Sequence, residues 1–207
     1  FTTLGCYALG MTLGQRLGFN HPTPQVLLVV AAVGLVSFII LESRLKQPMV
    51  DLRLFRNVFF DLNLLMGFLV FIVMSGSFIL PFFLELVQGY SPTVVGMLIM
   101  VHPIASGMIA PLAGSLSDRF GSRGISLIGL VFIVCGALAV STLQEGMTPL
   151  GFAARIVLFG IGMGLFASPN NSAIMGAVPR ERLGVASGLL SLSRTLGNTT
   201  GLPLIGA

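Results

Sequence analysis

The sequence predicts an all-α integral membrane protein, and two observations support that prediction. Composition is the first: 55% of the residues are hydrophobic and 9% are charged, whereas soluble domains carry roughly 25% charged residues. The second is the length of the apolar runs, since a helix needs about 20 residues to cross the hydrocarbon core. A transmembrane barrel would instead alternate polar and apolar residues over about 10 positions. The run "VLLVVAAVGLVSFIIL" is apolar on every side, so the spans are predicted to be helices.

The apolar runs and the polar breaks between them give the predicted spans in order. The chain begins and stops inside apolar runs, and no signal peptide is visible, so we expect a fragment of a longer helical bundle, incomplete at both ends. The longest break is the linker 42–57, "ESRLKQPMVDLRLFRN". The predicted spans are a partial one at 1–12, then 25–41, 58–87, 92–114, 124–143, 149–177 and 184–207.

Basic residues divide unequally between alternate breaks. One side carries eight Lys and Arg residues, and the other side carries only Arg16. Because cytoplasmic loops are enriched in Lys and Arg, the first side is predicted to be cytoplasmic. The charges are split among short loops, so the net charge of +4 reflects topology and a nucleic-acid partner is not expected. The eight residues are Arg44, Lys46, Arg53, Arg56, Arg119, Arg123, Arg180 and Arg182.

A charged island, "GSLSDRFGSRG" at Gly114–Gly124, separates two of these apolar runs. We expect a cytoplasmic hairpin, in which the glycines permit a sharp turn and close helix approach. Asp118 would lie near the positive N-terminus of the following helix. A plain positive loop is the alternative explanation.

The spacing of residues in the island favours the more specific explanation. The pattern resembles the G-x-L-x-D-R-x-G-x-R signature of the major facilitator superfamily of secondary transporters. Further stretches at 48–57, 86–96, 110–124, 160–169 and 184–201 are similar, in the same order, to landmarks of its fourteen-span drug:proton antiporter branch. The matching residues, called the latch motif below, are Gly114, Leu116, Asp118, Arg119, Gly121 and Arg123.

The resemblance implies a major facilitator-type bundle in which residues 1–41 belong to the extra central helix pair. Residues 42–57 would then be a cytoplasmic linker and 58–207 most of the C-terminal half, while the N-terminal half of the same chain would be missing. It also implies that the latch motif helps to hold one conformation during transport. Ser122 departs from the family pattern, which often has a second basic residue there.

The function implied by the resemblance is proton-coupled efflux of amphiphilic or cationic small molecules by alternating access. The proton gradient would supply the energy without any cofactor, and the protein would lie among the lipids of a bacterial inner membrane. Two alternatives stay open: a facilitator for another cargo such as a siderophore, sugar or metabolite, and a membrane sensor that keeps the fold without transport. Nothing in the sequence indicates an enzyme, and no metal-ligand cluster, catalytic triad or phosphate loop is recognisable.

Arg194 is the deepest cation, about ten residues or roughly 15 Å into the last predicted span. Ionisable residues inside a membrane usually face the bundle interior or a water-filled cavity. Together with Ser187, Ser191 and Asn198 it steps by four, three and four residues, which places all four on one helix face, called the polar stripe below. Either interhelix hydrogen bonding or the lining of a transport cavity would explain it.

Two further residues are weaker candidates for a proton pathway. His102 lies halfway along a predicted span, directly before Pro103, and its ordinary pKa is near neutrality. The simpler explanation is a histidine with a structural role. Glu85 lies near the outer end of its span, where an acid is able to reach the interface.

One motif match is rejected. "GIGMGLFA" fits a dinucleotide-binding pattern, but it lies inside a predicted span rather than between a strand and a helix. Gly160 and Gly164 instead predict a G-x-x-x-G helix-packing face.

Overall fold

The computed structural model describes residues 2–45, 50 and 52–205, and every regular element in that part of the chain is helical. The eight helices are α1 (Thr2–Leu17), α2 (Pro22–Arg44), α3 (Val58–Ser75), α4 (Leu80–Phe82), α5 (Pro92–Phe120), α6 (Ser122–Ser141), α7 (Pro149–Gly176) and α8 (Leu183–Ile205). Single 3₁₀ turns occupy Leu52–Arg56, Gly76–Ile79 and Arg180–Arg182, and a π-helical turn occupies Phe83–Val87.

Five helical stretches of the described chain are long and apolar enough to cross a membrane. They are Pro22–Arg44, Val58–Val87, Pro92–Phe120, Ser122–Ser141 and Pro149–Gly176. The all-α membrane class is therefore confirmed. Many large apolar side chains on these helices are exposed, as expected for surfaces that meet lipid rather than water.

Local sequence signals explain where several helices begin. His21 precedes α2, and its side chain accepts a hydrogen bond from the Thr23 N–H at 3.3 Å. Asn57 caps α3 in the same way, accepting from the Phe59 N–H at 3.1 Å. The helices α2, α5 and α7 all start with proline, whose missing N–H costs nothing in a first turn.

The stretch Val58–Val87 is helical but irregular. The α-helical geometry of α3 changes to a 3₁₀ turn at Gly76, and a π-helical turn follows α4. Pro81 lies between these turns and removes one backbone donor from the ladder. Such π-helical turns occur frequently at functional sites.

The described chain divides into two compact units, and the first comprises residues up to Gly76 together with those from Ala177 onward. In this unit α1 packs against α2, and α3 packs against α8. A methyl group on Gly197 would lie 2.6 Å from the Phe68 carbonyl oxygen, and one on Gly201 would lie 2.6 Å from that of Ile72. The contact advances by four residues on each helix, from 197 to 201 and from 68 to 72. The helices α3 and α8 therefore run parallel, with their backbones in contact.

The second unit comprises Ser77–Gly176. Here α7 packs on both α5 and α6, and its buried core includes Leu84, Phe152 and Ile156. At one end the Gln88 side chain donates to the Gln144 carbonyl at 2.6 Å, and the Tyr90 hydroxyl donates to the Met147 carbonyl at 2.6 Å. These bonds tie the connection that precedes α5 to the connection between α6 and α7.

The packing face that the sequence predicts at Gly160 and Gly164 is confirmed. Methyl groups at these positions would each lie 2.7 Å from a carbonyl oxygen of α5, those of His102 and Ser106. Only glycine allows so close a helix contact.

Candidate functional site

The charged island is more helical than the sequence suggests. Helix α5 continues to Phe120, six residues beyond the end of the predicted span at 114, and α6 begins at Ser122. Gly121 alone separates the two helices, with φ 87° and ψ 144°. That backbone region is essentially restricted to glycine, and the Gly121 N–H donates to the Ser117 carbonyl at 2.9 Å. The expected loop is therefore a one-residue joint.

This joint gives the latch motif an inner and an outer face. On the inner face Gly114 is half-buried, and a methyl group there would lie 3.4 Å from the Ser168 hydroxyl of α7. On the outer face Asp118, Arg119 and Arg123 are exposed. The glycine end of the motif therefore lies next to α7, and its three charged side chains are exposed.

Leu116, the remaining apolar member of the motif, is also exposed, with 37% of its surface accessible. Asp118 makes no ion pair within the described residues. Ser122 forms the first, half-buried position of α6, so the site that often carries a second basic residue in the family is here part of the helix start.

The polar stripe on α8 lies beside the face that packs on α3. The packing face contains Ser193, whose hydroxyl donates to the Leu64 carbonyl at 2.8 Å. Sequence reasoning did not single out Ser193, although its spacing of four from Gly197 was a usable signal. Along the stripe Ser187 and Ser191 are exposed, and Arg194 and Asn198 are half-buried.

Arg194 packs on an aromatic ring of the neighbouring helix. Its guanidinium carbon lies 5.4 Å from the centroid of the Phe71 ring, within the range of a cation–π interaction. The planar guanidinium is therefore oriented by α3 near the middle of α8. A fixed cation of this kind is able to orient an anionic or aromatic group of a bound molecule.

His102 and Glu85 occupy different surroundings. The His102 ring contacts Phe159 of α7, with 5.4 Å between ring centroids and an interplanar angle of 35°. Its Nε2 is buried and has no hydrogen-bond partner within the described part of the chain. Glu85 lies in the π-helical turn and is exposed. Both belong to the unit Ser77–Gly176, whereas Arg194 belongs to the other unit.

A buried carboxylate was missed by sequence reasoning. Glu42, near the end of α2, is only 4% exposed, and its Oε1 accepts a hydrogen bond from the Val50 N–H at 2.8 Å. It thereby ties the end of α2 to the middle of the 42–57 linker. A lone acid directly after an apolar run was the available signal. Linker residues 46–49 and 51 lie outside the described residues.

Comparison with known protein families identifies the fold. The family model described as Major Facilitator Superfamily matches residues 1–202. The chain belongs to the Major Facilitator Superfamily. Family membership indicates a transporter rather than an enzyme, and the multi-pass membrane location agrees with the five long apolar helices.

Several curated relatives of this family resemble the chain over most of its length. Multidrug resistance protein Stp of Mycobacterium tuberculosis is 34% identical over 205 residues, which are 99% of this chain and 38% of Stp. Riboflavin transporter RibZ of Clostridioides difficile is 33% identical over 84% of this chain and 39% of RibZ. Multidrug transporter protein MdtP of Bacillus subtilis is 30% identical over 87% of this chain and 34% of MdtP. The chain therefore spans less than half the length of each of these relatives.

Proposed function

We propose that this chain forms part of a proton-coupled exporter of amphiphilic small molecules in a bacterial inner membrane, of the fourteen-span branch of the superfamily. Transport in this fold proceeds by rocking of two halves around a site near the bilayer midplane. The relatives named as multidrug proteins, Stp and MdtP, support such a cargo. The proton gradient would supply the energy, and no cofactor is involved in the proposal.

The observation that carries the proposal is the polar stripe. It places a cation, an amide and two hydroxyls on one face of α8, flanking the residues that pack on α3, and Arg194 reaches the Phe71 ring of that helix. A central Arg costs about 2.5 to 3.5 kcal/mol on insertion scales. Such a face is stable next to a water-filled transport pathway and unstable next to lipid. We infer that Ser191, Arg194 and Asn198 line the pathway.

The latch motif supplies the conformational part of the proposal. Asp118, Arg119 and Arg123 project their charges from the α5–α6 joint, so a partner present in only one state would shift the equilibrium toward that state. His102 and Glu85 are the candidates for proton transfer in this chain. The buried, unpartnered Nε2 of His102 supports its candidacy, and the exposed position of Glu85 supports proton exchange with the outer surface.

The experiment uses the full-length protein in inverted membrane vesicles with an imposed proton gradient. Internal pH is followed by a fluorescent dye while ethidium and other lipophilic cations are added in increasing concentration. The proposal expects a saturable collapse of the gradient that depends on both the cation and the protein. Vesicles without the protein serve as the control. No response across a chemically varied panel, with correctly inserted protein, would contradict drug:proton antiport.

A facilitator of another cargo is the second candidate, supported by the relative named as a riboflavin transporter. It predicts saturable movement of labelled riboflavin in the same vesicles, with no pH response to lipophilic cations. A third possibility, a sensor without transport, predicts neither signal.

A further inference from the structure

A cavity of about 400 Å³ lies inside the unit that contains α1, α2, α3 and α8. All four helices contribute to its wall, which includes Leu28 and Leu35 of α2, Phe68 of α3, and Leu192 and Leu196 of α8. Small-molecule sites typically have volumes of about 300 to 1,000 Å³, whereas voids larger than a water molecule are few in a close-packed interior. The cavity is therefore large enough to hold a ligand.

The cavity lies at the depth of the bilayer core. Leu28 is six residues from the start of α2, Leu35 is nine residues from its end, and Phe68 is ten residues from the start of α3. At a rise of about 1.5 Å per residue, these side chains lie about 9 to 15 Å from the nearer helix ends. Because the hydrocarbon core holds no water, the occupant must be a group that is stable in hydrocarbon.

The accessible wall of the cavity is almost wholly apolar. Thr3 and Tyr7 of α1 are the lining residues that carry hydroxyls. The Tyr7 hydroxyl is hydrogen-bonded to the Thr200 hydroxyl, which donates to the Leu196 carbonyl at 2.6 Å. The Thr3 Oγ1 lies against α2, 2.6 Å from where a methyl group on Gly34 would be. A charged group inside the cavity would therefore pay a large desolvation cost, and apolar cavities do not hold water.

The cavity and the polar stripe lie on different sides of α8. Leu192 and Leu196, which line the cavity, are two residues before and two residues after Arg194. Two residues correspond to about 200° around an α-helix, so both leucines lie on the side away from Arg194. The face that packs on α3 through Gly197 lies between them. The cavity is therefore separate from the pathway that we place along the polar stripe.

The cavity is open at a rim that faces the surroundings of the unit. Leu4 of α1 and Leu35 of α2 line the cavity, yet 44% and 53% of their surfaces are accessible. Val33 and Val36, beside Leu35 on α2, are 60% and 56% exposed, as expected for a helix surface that meets lipid. We propose that the cavity binds one acyl chain of a membrane lipid, which enters past this rim.

An acyl chain has every property that the cavity requires. It is apolar, it bends to follow an irregular wall, and it is abundant at this depth. An empty cavity would lose the dispersion contacts of its lining. A cationic cargo is less suited, because none of the described residues that line the cavity is an acid. The inference does not depend on the proposed function, since lipid binding requires neither transport nor proton coupling.

The test is photo-crosslinking of the full-length protein in detergent micelles. The probe is phosphatidylglycerol that carries a diazirine midway along one acyl chain, and labelled residues are identified by mass spectrometry as the probe is titrated. We expect labelling of Leu192 to saturate at low probe concentration, because a single chain occupies the cavity. Leu138 of α6, which is 63% exposed, should be labelled in proportion to the probe. Proportional labelling at both residues, or none at Leu192, would overturn the proposal, and that comparison requires no variant to fold.

A pair of variants tests whether the cavity itself holds the probe. Ala32→Phe places a ring in the cavity, since Ala32 lines it, and should reduce Leu192 labelling several-fold. Val33→Phe is the matched control, because Val33 is exposed and is not among the lining residues, and should leave the labelling unchanged. Undiminished labelling in an Ala32→Phe protein with the wild-type elution profile would contradict the proposal.

Competition distinguishes a lipid from the cargo. Unlabelled phosphatidylglycerol in excess should abolish the saturable labelling of Leu192, and ethidium in excess should not. Displacement of the probe by ethidium would assign the cavity to the cargo and overturn the lipid assignment.

Discussion

At the scale of single residues, Arg194 shows how a costly charge is retained inside an apolar helix. Its guanidinium lies over the Phe71 ring, so part of the electrostatic energy lost on leaving water is recovered from the ring. Cation–π contacts contribute about 0.5 to 2 kcal/mol, more when water is excluded. Lysine would keep the charge but not the planar stacking surface.

We therefore predict energetic coupling between Arg194 and Phe71. Arg194→Lys and Phe71→Leu should each lower the thermal unfolding midpoint of the full-length protein in detergent. The double variant should be less destabilised than the sum of the two changes, by about 1 kcal/mol. Phe78→Leu, the same change at an exposed phenylalanine, is the control and should have little effect. Strict additivity of the two single variants would exclude the interaction.

Asp118 is the residue on which the latch hypothesis depends. Asp118→Asn removes the charge and keeps the size, and the exposed side chain has no role in packing the described unit. We predict normal insertion with transport reduced at least about tenfold, which corresponds to the loss of about 1.4 kcal/mol of state-dependent contact energy. The measurement is substrate-dependent proton release in inverted vesicles, normalised to protein abundance.

The matched control for Asp118 is Glu145→Gln, which neutralises another exposed acid outside the latch motif. It should transport at the wild-type rate. If Asp118→Asn also retained that rate at normal abundance, the latch assignment in this chain would be wrong.

At the scale of helices, hydropathy predicts the elements well and the junctions poorly. The starts of α3, α5 and α7 at Val58, Pro92 and Pro149 coincide with or adjoin predicted starts, because proline, asparagine and the onset of apolar sequence mark them. The helix α5 continues six residues past the predicted end of the span at 114, although Ser115, Ser117 and Asp118 are polar. Hydropathy marks the end of an apolar run, and it does not mark where the helix itself ends.

The candidate site was predictable as a set of residues but not as an arrangement. Spacing alone identified the polar stripe and the latch motif. Spacing did not indicate that Phe71 would contact Arg194, that Ser193 would make the interhelix hydrogen bond, or that Glu42 would hold Val50. The first two contacts depend on the short distance between α3 and α8, which Gly197 and Gly201 permit. The third depends on how the linker folds back onto the end of α2.

Helix separation leads to a prediction for the α5–α7 pair. A methyl group on Gly164 would lie 2.7 Å from the Ser106 carbonyl oxygen and 2.9 Å from the Ile109 Cβ. Gly164→Ala must push the helices apart, and we expect a loss of stability of about 1 to 3 kcal/mol. The measurement is thermal unfolding of the purified full-length protein in detergent.

Gly107→Ala is the control for Gly164, since nothing lies within 4 Å of the added methyl group. It should be neutral or slightly stabilising, because alanine favours a helix by about 1 kcal/mol over glycine. Equal effects of the two substitutions would mean that α5 and α7 do not approach as closely as described.

At the scale of the whole molecule, the order of helix directions agrees with repeated membrane crossing. Within one unit α3 and α8 run parallel, and within the other α6 and α7 run antiparallel, as the contacts of their glycines show. If each long helix crosses the membrane in the direction opposite to the one before it, the consecutive helices α6 and α7 must be antiparallel. The helices α3 and α8 have three crossings between them, so they must be parallel. Helix directions alone do not determine which ends face the cytoplasm, so orientation depends on the unequal distribution of Lys and Arg.

We predict that the ends carrying eight basic residues face the cytoplasm and that the connection between α6 and α7 faces outward. Single cysteines are introduced as Glu145→Cys or Arg180→Cys in an otherwise cysteine-free full-length protein. Glu145→Cys should react with a membrane-impermeant maleimide in intact cells. Arg180→Cys should react only in inverted vesicles, and both should react after detergent treatment. The opposite pattern would reverse the orientation, and the α5–α6 joint with its latch motif would then lie at the outer surface, where the proposed cytoplasmic latch could not operate.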